Sequence, residues 1–405
     1  MFDRLIRNVR LAGGAAPVDI GVASGKIAAI GPDLSADAPS HDARGKLVCA
    51  GLIETHIHLD KSRLLDRCPC GASVSDAIRS VAQAKRDFTE EDVYDRARET
   101  LERCILHGTT RMRTHVEVDP RVGLTSVRAL LRLKRDYAWA IDLELCAFPQ
   151  EGLLDDPGCD AVLVAALEAG CDLVGGVPYV DRDPAAQIHR IFELAQRFGL
   201  DIDFHLDNAL DGDGLDVLEV CRLAERTGWG GRVAVGHMTK LSTLEPARFD
   251  EIAAIIAGSG VSVAVLPATD LFMMGRGAVA NMPRGVAPAH RLQERGVVCS
   301  LSTNNVLNPF TPYGDGSLVR IANLFANVAQ LGTTEELSAC FDLITTGPAQ
   351  VMRHDDYGIV VGAPADLVIL DAESPAQAIA EIAPAVAGFK RGRPTFERPA
   401  PILHR

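Results

Sequence analysis

Two histidines separated by one residue, His56 and His58, have the spacing of a metal-binding pair. They lie at the end of a predicted β-strand, residues 54–60. Because successive side chains of an extended chain point to opposite faces, both imidazoles lie on the same face. Such a pair can hold a transition metal ion, and a bound ion of that kind acidifies water into a nucleophile at neutral pH.

Three further histidines, His115, His205 and His237, lie near the ends of other predicted strands. One histidine in a strand is more often a core residue than a ligand, but five of the 11 histidines at strand ends favour a metal site. Clustered imidazoles suit Zn²⁺ or Fe²⁺ better than Mg²⁺ or Ca²⁺. We therefore expect one divalent transition metal, zinc or iron, as the cofactor.

The elements that must position these histidines alternate between residues 48 and 345, where short apolar runs are followed by amphipathic helical stretches. Eight strands are predicted, at 54–60, 110–118, 142–149, 172–180, 201–208, 232–238, 261–267 and 298–305. Helices are predicted among them at 74–88, 90–106, 184–198, 214–226, 244–257 and 317–331. This alternation predicts an α/β protein with a distorted (β/α)8 TIM barrel, whose active site lies at the carboxyl ends of the strands. The alternative, a doubly wound open sheet, normally carries a Gly-rich turn after its first strand, and this sequence has none there.

The two ends of the chain have a different pattern. Residues 1–48 and 356–405 contain short alternating strands broken by Gly and Asp. Strands this short do not bury a face alone. We therefore expect both termini to combine into one composite β-sandwich domain, beside a catalytic barrel of residues 49–355.

Net charge and amino-acid composition limit the kinds of partner that the protein is expected to bind. A net charge of −13 argues against nucleic acid and against an anionic membrane surface, so a small-molecule substrate is expected. No run reaches ~18 apolar residues, and residues 1–10 lack the apolar core of a signal peptide, so a cytoplasmic protein is expected. The ten cysteines lack the paired spacing of a disulfide scaffold, which predicts reduced thiols. A homo-oligomer is compatible with all of this.

Several segments taken together resemble one family. Residues 51–62 (GLIETHIHLDKS) resemble the first-strand motif of the amidohydrolase superfamily, in the branch of cytosine deaminase and N-isopropylammelide isopropylamidohydrolase. Matching segments follow in order over nearly the whole chain: THV at 114–116, AFPQEG at 147–152, FHLD at 204–207, GH at 236–237, NV at 305–306, Pro309, PYG at 312–314, DYGI at 356–359, and 362–370.

The resemblance implies roles for several residues. His56, His58 and His205 would hold the metal, and Gln150 would bind the edge of the substrate ring. His237 would lie beside the hydrolytic water and the reacting carbon.

At two positions this sequence differs from the family pattern. Asn304 stands at the place of the strand-eight Asp that ligates the metal and takes a proton from its water. Asn208 aligns with the Glu that shuttles a proton to the ring nitrogen. An amide oxygen can bind a metal, but an amide cannot accept that proton.

Three consequences of these two asparagines compete. The chain is an active hydrolase whose base is supplied by His237, Asp207 or Asp60, since a base needs mainly reach and a suitable pKa. Alternatively the cavity binds a ligand without hydrolysis, or the substrate supplies its own proton transfer. We favour catalysis because the metal-type histidines and Gln150 remain, and we do not expect cytosine deamination.

Other assignments complete the predicted site. His115 and Asn305 are predicted to contact substrate, as is Asp270 in the segment before Met273–Gly277, which would cover the substrate. Leu271 and Phe272 would form an apolar wall. Asp315 is the alternative to Asn304 as the strand-eight acidic group, and His107, at a helix end before Gly108, is assigned a structural role.

The predicted function is a metal-dependent amidohydrolase or deaminase that hydrolyses a C–N bond of a small nitrogen heterocycle, cyclic amide or amidine. The competing hypothesis is a non-hydrolytic or metal-independent ligand-binding paralogue on the same scaffold.

Overall fold

Short apolar strands and longer amphipathic helices alternate along most of the chain, as the hydrophobic pattern predicts. The computed structural model describes residues 1–14, 16–70 and 73–404. Within these ranges the strands are β1 (Arg4–Val9), β2 (Val18–Ala23), β3 (Lys26–Gly31), β4 (Ser40–Asp42), β5 (Leu47–Ala50), β6 (Leu52–Ile57), β7 (Thr109–Glu117), β8 (Asp142–Phe148), β9 (Leu173–Gly176), β10 (Asp201–Leu206), β11 (Val233–His237), β12 (Ser262–Val265), β13 (Cys299–Leu301), β14 (Leu367–Leu370), β15 (Ala385–Lys390) and β16 (Arg393–Glu397).

Helices cover most of the connections between strands in the same ranges. They are α1 (Val74–Ala84), α2 (Glu90–Leu106), α3 (Thr125–Asp136), α4 (Cys159–Glu168), α5 (Pro184–Phe198), α6 (Val217–Thr227), α7 (Pro246–Ser259), α8 (Pro267–Met273), α9 (Ala289–Glu294), α10 (Leu318–Ala329), α11 (Thr334–Asp342), α12 (Thr346–Val351) and α13 (Pro375–Ala380).

Strands β6 to β13 form one eight-stranded parallel sheet, in which every strand lies beside its neighbour in sequence. Backbone bonds then join its two ends, because Asn304 N donates to His56 O and His58 N donates to Asn304 O, both at 2.9 Å. The sheet therefore closes as a (β/α)8 barrel, and the prediction of that fold is confirmed. This closure excludes the open doubly wound sheet.

The observed bounds differ from the predicted ones mainly at the ends of strands. Helices α2 and α5 begin and end at the predicted residues. The predicted strand 172–180 is shorter, because Pro178 cannot donate to a sheet ladder and Pro178–Val180 forms a 3₁₀ turn. The predicted strand 298–305 is reduced to β13, and beyond Leu301 the pairing continues as an isolated bridge between Asn304 and Ile57.

Both ends of the chain build a β-sandwich beside the barrel, as expected. One sheet has the order β3-β2-β1-β4 and the other β16-β15-β14-β5. Their shared core includes Ile6 and Ile20 from the first sheet with Val48, Leu367 and Phe389 from the second. Strand β5 extends to Ala50, two residues beyond the predicted limit, and the division of the chain into 1–48 with 356–405 and 49–355 stays a prediction.

The cysteines carry no disulfide. All ten are free thiols, and eight of them are buried. The Cys68-Pro69-Cys70 segment lies in a loop, with Cys68 buried and Cys70 exposed. Among the helices of the described ranges, none has the length and apolar character needed to span a bilayer.

Candidate active site

Three imidazoles converge at the carboxyl ends of the barrel strands. His56 is the penultimate residue of β6, and His58 follows that strand directly after its last residue. His205 lies near the end of β10. His205 Nε2 is 3.1 Å from His56 Nε2 and 3.0 Å from His58 Nε2. Nitrogens that share a tetrahedral zinc ion at about 2.0–2.1 Å lie ~3.3 Å apart. Two of the three pairwise nitrogen distances are therefore close to those expected around one divalent ion.

The electrostatics of these imidazoles also suit a metal. All three side chains are buried. Burial lowers the pKa of His56 to about 3, and burial followed by neighbouring cationic groups lowers those of His58 and His205 well below their usual value. They are thus neutral at pH 7, which is the form of imidazole that binds metals.

A second layer of side chains supports His56. Its Nδ1 lies 3.7 Å from Asp203 Oδ1, and Asp203 accepts a 2.9 Å hydrogen bond from Arg113. Burial alone would raise the pKa of Asp203, but His115, His56 and Arg113 hold it well below its usual range. A carboxylate behind a metal-binding histidine fixes the ring and raises its basicity.

His115 belongs to this supporting layer. Its ring stacks on that of His56 with centroids 3.8 Å apart, and its Nε2 lies 3.4 Å from Asp203 Oδ1. His115 is fully buried and does not border the cavity described below. The prediction that His115 contacts substrate is therefore corrected. The side chain packs behind His56, which is a candidate metal ligand.

His237 faces the same centre from the end of β11. Its ligand nitrogens and those of His56 and His205 lie within 4.8 Å of one another. His237 and Met238 have positive φ angles of 73° and 57°, a strained backbone of the kind that persists at functional sites. The turn aims the imidazole into the cavity.

Asp270 on α8 holds His237 in place. The carboxylate Oδ1 lies 2.6 Å from His237 Nδ1, and Asp270 is completely buried. Burial raises the pKa of Asp270, although the contact with His237 opposes that shift. Because Asp270 does not border the cavity, its predicted role as a substrate contact is corrected to that of a partner for His237.

Asn304 lies on the bridge that closes the barrel, with a positive φ of 62°. Its side chain is buried and borders the cavity, yet neither Oδ1 nor Nδ2 has a hydrogen-bond partner. A buried amide without partners is costly. The orphaned oxygen beside three neutral imidazoles fits a fourth donor to a divalent ion, so the donor set present suits the predicted metal.

Asn208 also borders the cavity, and its Oδ1 is buried without a partner. Its side chain hydrogen-bonds the Tyr179 hydroxyl, and burial raises the pKa of Tyr179 to about 12. The neighbouring Asp207 turns away, because its carboxylate accepts from the backbone of Asp216 and Val217 at 3.0 and 3.2 Å. Asp207 therefore supports the loop before α6 and does not border the cavity, which corrects its predicted catalytic role.

The other alternative acid groups also lie away from the cavity. Asp60 accepts from the backbone nitrogens of Lys61 and Glu117, both at 2.9 Å. Asp315 accepts from Ser317 N and the Arg320 guanidinium, both at 3.0 Å, at the start of α10. His107, the residue after α2, ends that helix in the predicted structural role.

The cavity is small, with a volume of about 20 Å³, which is room for about one water molecule. It is bordered by His58, Lys61, Val74, Ile78, Gln150, Tyr179, His205, Asn208, His237, Thr269, Met273, Asn304, Asn305 and Phe310. The structure thus brings Gln150 and Asn305 together with the metal-type histidines. No carboxylate is among these lining side chains, as far as the described residues extend.

The predicted cover of the cavity is only partly observed. Met273 and Phe310 both border the cavity and belong to the same apolar cluster. Leu271 is 36% exposed, and Phe272 packs edge-on against Tyr313 with centroids 5.5 Å apart. An apolar wall of the cavity was expected at Leu271 and Phe272, but Met273 and Phe310 form it instead. The reason is that residues 267–273 form a helix rather than a loop.

Lys61 is a cavity residue that the sequence did not single out. Its Nζ donates to Glu117 Oε1 at 2.7 Å and to Gln150 Oε1 at 2.9 Å. Glu117 also accepts from Lys85 at 3.0 Å, and Lys85 contacts Asp119 at 2.5 Å. Lysine is rarely buried, so only its place three residues after His58 could have drawn attention to it.

Comparisons with known proteins show the family to which the chain belongs. The model of the amidohydrolase family Amidohydro_3 matches residues 131–396. The N-isopropylammelide isopropyl amidohydrolase of Pseudomonas sp. (strain ADP) is 30% identical, over 97% of this chain and 96% of that protein. The pterin deaminase of Rhizobium rhizogenes is 31% identical, over 89% of this chain and 83% of that protein.

A solved structure is similar over the full length. The crystal structure of 5-methylcytosine deaminase from Klebsiella pneumoniae liganded with 5-fluorocytosine superposes with a TM-score of 0.94, at 27% identity, covering 99% of each chain. The chain belongs to the amidohydrolase family, in its cytosine deaminase-like branch. It is a hydrolase of that family, as the sequence predicted.

Proposed function

We propose that the chain hydrolyses a C–N bond of a small nitrogen heterocycle, cyclic amide or amidine, at a metal centre formed by His56, His58 and His205. One water molecule adds its oxygen to the ring carbon, the C–N bond breaks, and the departing nitrogen takes up a proton to leave as ammonia or an amine. The approach of the His205 nitrogen to 3.1 Å from that of His56 and 3.0 Å from that of His58, beside a small cavity, carries this proposal. Relatives that act as amidohydrolase and deaminase support the bond class.

A divalent ion such as zinc or iron, when bound by these residues, supplies a nucleophilic hydroxide at neutral pH. Asn304 would offer that ion an uncharged oxygen, and its amide cannot take the proton of the attacking water. The proton transfer therefore falls to another side chain that borders the cavity.

His237 has the right partner for that step. Asp270 lies 2.6 Å from Nδ1 and keeps the proton on that nitrogen, so the Nε2 lone pair is directed to the cavity. Nε2 accepts the proton of the attacking water and returns it to the departing nitrogen. An imidazole oriented by a buried carboxylate performs the same two transfers in other hydrolases.

Gln150 and the apolar side chains Val74, Ile78, Met273 and Phe310 hold the ring. Gln150 fixes the polar edge, while the apolar groups exclude water from its faces.

A second candidate function is ligand binding without hydrolysis. The amides of Asn304 and Asn208, in place of the two acid groups implied by the resemblance, favour it. On that hypothesis the cavity still holds a ring, but no group activates water.

Metal content and turnover together distinguish the two functions. Protein purified without chelators should contain close to one equivalent of zinc or iron, and it should release ammonia or amine from some member of a panel of aminopyrimidines, triazines, hydantoins and cyclic amides. His205→Ala should lose both the metal and the activity. Less than about 0.1 equivalent of metal, or activity that survives this replacement, contradicts the hydrolytic mechanism.

A further inference from the structure

The loops that follow the first three barrel strands meet in a cluster of buried charged side chains. Lys85 comes from the segment after β6, Asp119 follows β7, and Glu151 follows β8. Lys85 Nζ lies 2.5 Å from Asp119 Oδ2 and 3.0 Å from Glu117 Oε2, and it also contacts Glu151 Oε2. One ammonium group therefore faces three carboxyl groups, all of them largely shielded from water.

The carboxyl groups of this cluster outnumber its cations. Arg121 lies 3.0 Å from Asp119 Oδ1 and 3.4 Å from Glu151 Oε2, and it binds Asp156 Oδ2 at 2.5 Å. Among the described side chains the cluster contains four carboxyl groups and three cations, namely Glu117, Asp119, Glu151 and Asp156 with Lys61, Lys85 and Arg121. With every group ionised, one buried negative charge would stay uncompensated. Such a charge is costly, so the cluster favours the uptake of one proton.

Two carboxyl oxygens show where that proton lies. Glu151 Oε1 is buried and has no hydrogen-bond partner among the described residues. Asp119 Oδ2 forms an ion pair with Lys85 but likewise lacks a directed hydrogen bond within the described part of the chain. The Glu151 and Asp119 side chains nevertheless lie within hydrogen-bonding reach of each other. Because a carboxylate can only accept, a hydrogen bond between two carboxyl groups requires a proton on one of them.

The surroundings assign this proton to Glu151. Burial raises the pKa of Glu151, and the charge of Glu117 raises it further against the opposing effect of Lys85. Burial would also raise the pKa of Asp119, but Lys85 holds it below its usual value. The thiol of Cys159, which also faces these groups, stays protonated because burial raises its pKa to about 12.

We infer that Glu151 and Asp119 share one proton in the folded protein, with the Glu151 hydroxyl donating to the Asp119 carboxylate. This hydrogen bond joins the loop after β8 to the loop after β7. Loss of the proton at higher pH leaves two carboxylates in contact, so the contact between the loops is sensitive to pH. The pair does not border the cavity, and it needs neither a bound ion nor turnover to hold its proton.

Glu151→Gln tests the shared proton, because an amide donates to Asp119 at every pH. In the unfolded chain a glutamate loses its proton at about pH 4.3, whereas the folded wild type keeps this proton to higher pH. Between these values the folded state binds one proton more, so wild-type stability falls as the pH rises through this window. From about pH 5.5 to about pH 8.5 the wild-type unfolding constant should therefore increase at least about tenfold more than that of the variant. Urea unfolding of the metal-free proteins measures both constants, and equal pH dependence overturns the inference.

Two further variants separate the shared proton from a change of charge alone. Asp119→Asn offers an amide donor from the other side of the contact and should lose the same pH dependence. Asp156→Asn removes a carboxylate of the same cluster that is bound to Arg121, and it should keep the wild-type pH dependence. An Asp156→Asn protein that behaves like Glu151→Gln would mean that the cluster titrates as a whole, which contradicts a proton held by this pair.

Infrared spectroscopy detects the proton without unfolding the protein. A protonated carboxyl group has a C=O stretching band at a higher frequency than the bands of a carboxylate. At about pH 6 the difference spectrum between wild type and Glu151→Gln should contain this band, and the band should weaken toward about pH 8.5. If Glu151→Gln does not fold, Asp119→Asn takes its place in both comparisons. A difference spectrum without the band shows that both carboxyl groups are ionised and refutes the shared proton.

Discussion

Asn304 places a neutral amide beside three neutral imidazoles at the point where the barrel closes. An ion held by these groups keeps its full positive charge, because none of the donors is anionic. The affinity for the ion is then lower than a carboxylate at the same position would provide, while the ion's effect on nearby water is stronger.

Asn304→Asp should therefore raise the affinity for zinc by about tenfold or more, as measured by competition with a chromogenic chelator. Asn305→Asp is the matched control, since it adds the same charge one residue along, where the side-chain oxygen is occupied by Asn308. Equal effects of the two variants would mean that Asn304 does not contact the ion.

Asp270→Asn tests the partner of His237. The amide keeps the shape but no longer fixes the proton on Nδ1, so kcat should fall by between about 10²- and 10⁴-fold while KM changes little. Asp207→Asn, a buried carboxylate bound to backbone N–H groups, should leave kcat within a few-fold of wild type. Steady-state kinetics on whichever ring the panel identifies provides the measurement, and a purely structural Asp270 would shift stability without this loss of kcat.

At the scale of single residues, the sequence predicts those roles that depend only on residue type and spacing. The family resemblance predicts His56, His58 and His205 as metal ligands, and their place at strand ends, which face one rim of a barrel, agrees with that prediction. Lys61, Asp203 and Arg113 could not, because a buried charge is tolerated only beside partners that are distant in sequence, here Glu117 for Lys61 and one another for the other two. The observed roles of His115 and Asp270 also depend on partners that are distant in sequence, so the sequence did not predict them.

At the scale of elements, strand β11 leaves room for the metal-type imidazoles. Its register pairs Gly236 with His205 on β10, and a Cβ on Gly236 would lie 2.7 Å from His56 Cε1 and 2.9 Å from its Nδ1. The absence of a side chain on Gly236 therefore allows His56 to stand next to His205.

Gly236→Ala should push His56 out of position and lower zinc affinity by at least about tenfold, with overpacking that costs ~1–3 kcal/mol of stability. Gly258→Ala on α7 is the control, since a Cβ there meets nothing within 4 Å. That variant should bind zinc as wild type does. Isothermal titration of the metal-depleted proteins measures both affinities, and unchanged affinity in Gly236→Ala would show that the His56 ring can move without cost.

The sequence predicts long elements better than short ones for a physical reason. Helix α2 has an N-cap at Thr89, a long apolar face and a glycine after its end, so its bounds follow from local signals alone. Helix α8 spans only seven residues, and its place depends on Asp270 reaching His237. A stretch this short carries too few turns for a periodic pattern, and its conformation is decided by tertiary contacts.

At the scale of the whole molecule, buried histidines couple stability to pH. Burial lowers the pKa of His354 to about 4, and burial also lowers the pKa values of His107 and His290. In the unfolded chain a histidine takes up its proton at about pH 6.5. Between these two values the unfolded state binds more protons, so stability is complete above about pH 6.5 and falls as the pH drops toward 4.

His354→Gln should therefore reduce the loss of stability between pH 7.5 and 5. Urea unfolding of the metal-free protein at the two pH values gives the free energy of unfolding, and the difference between them should be smaller in the variant. His404→Gln removes an exposed histidine and should leave the difference at its wild-type size. A His354→Gln protein with the wild-type pH dependence would contradict the assignment.

The bridge between Ile57 and Asn304 also has a consequence for how the protein is made. During synthesis His56 and His58 leave the ribosome long before His205, and Asn304 follows later still. No partial chain can present all four donors, because the barrel closes only when its last strand reaches its first. On the proposed function, a metal ion would be bound only at the end of barrel folding, and ion uptake by nascent chains of increasing length would report the moment of closure.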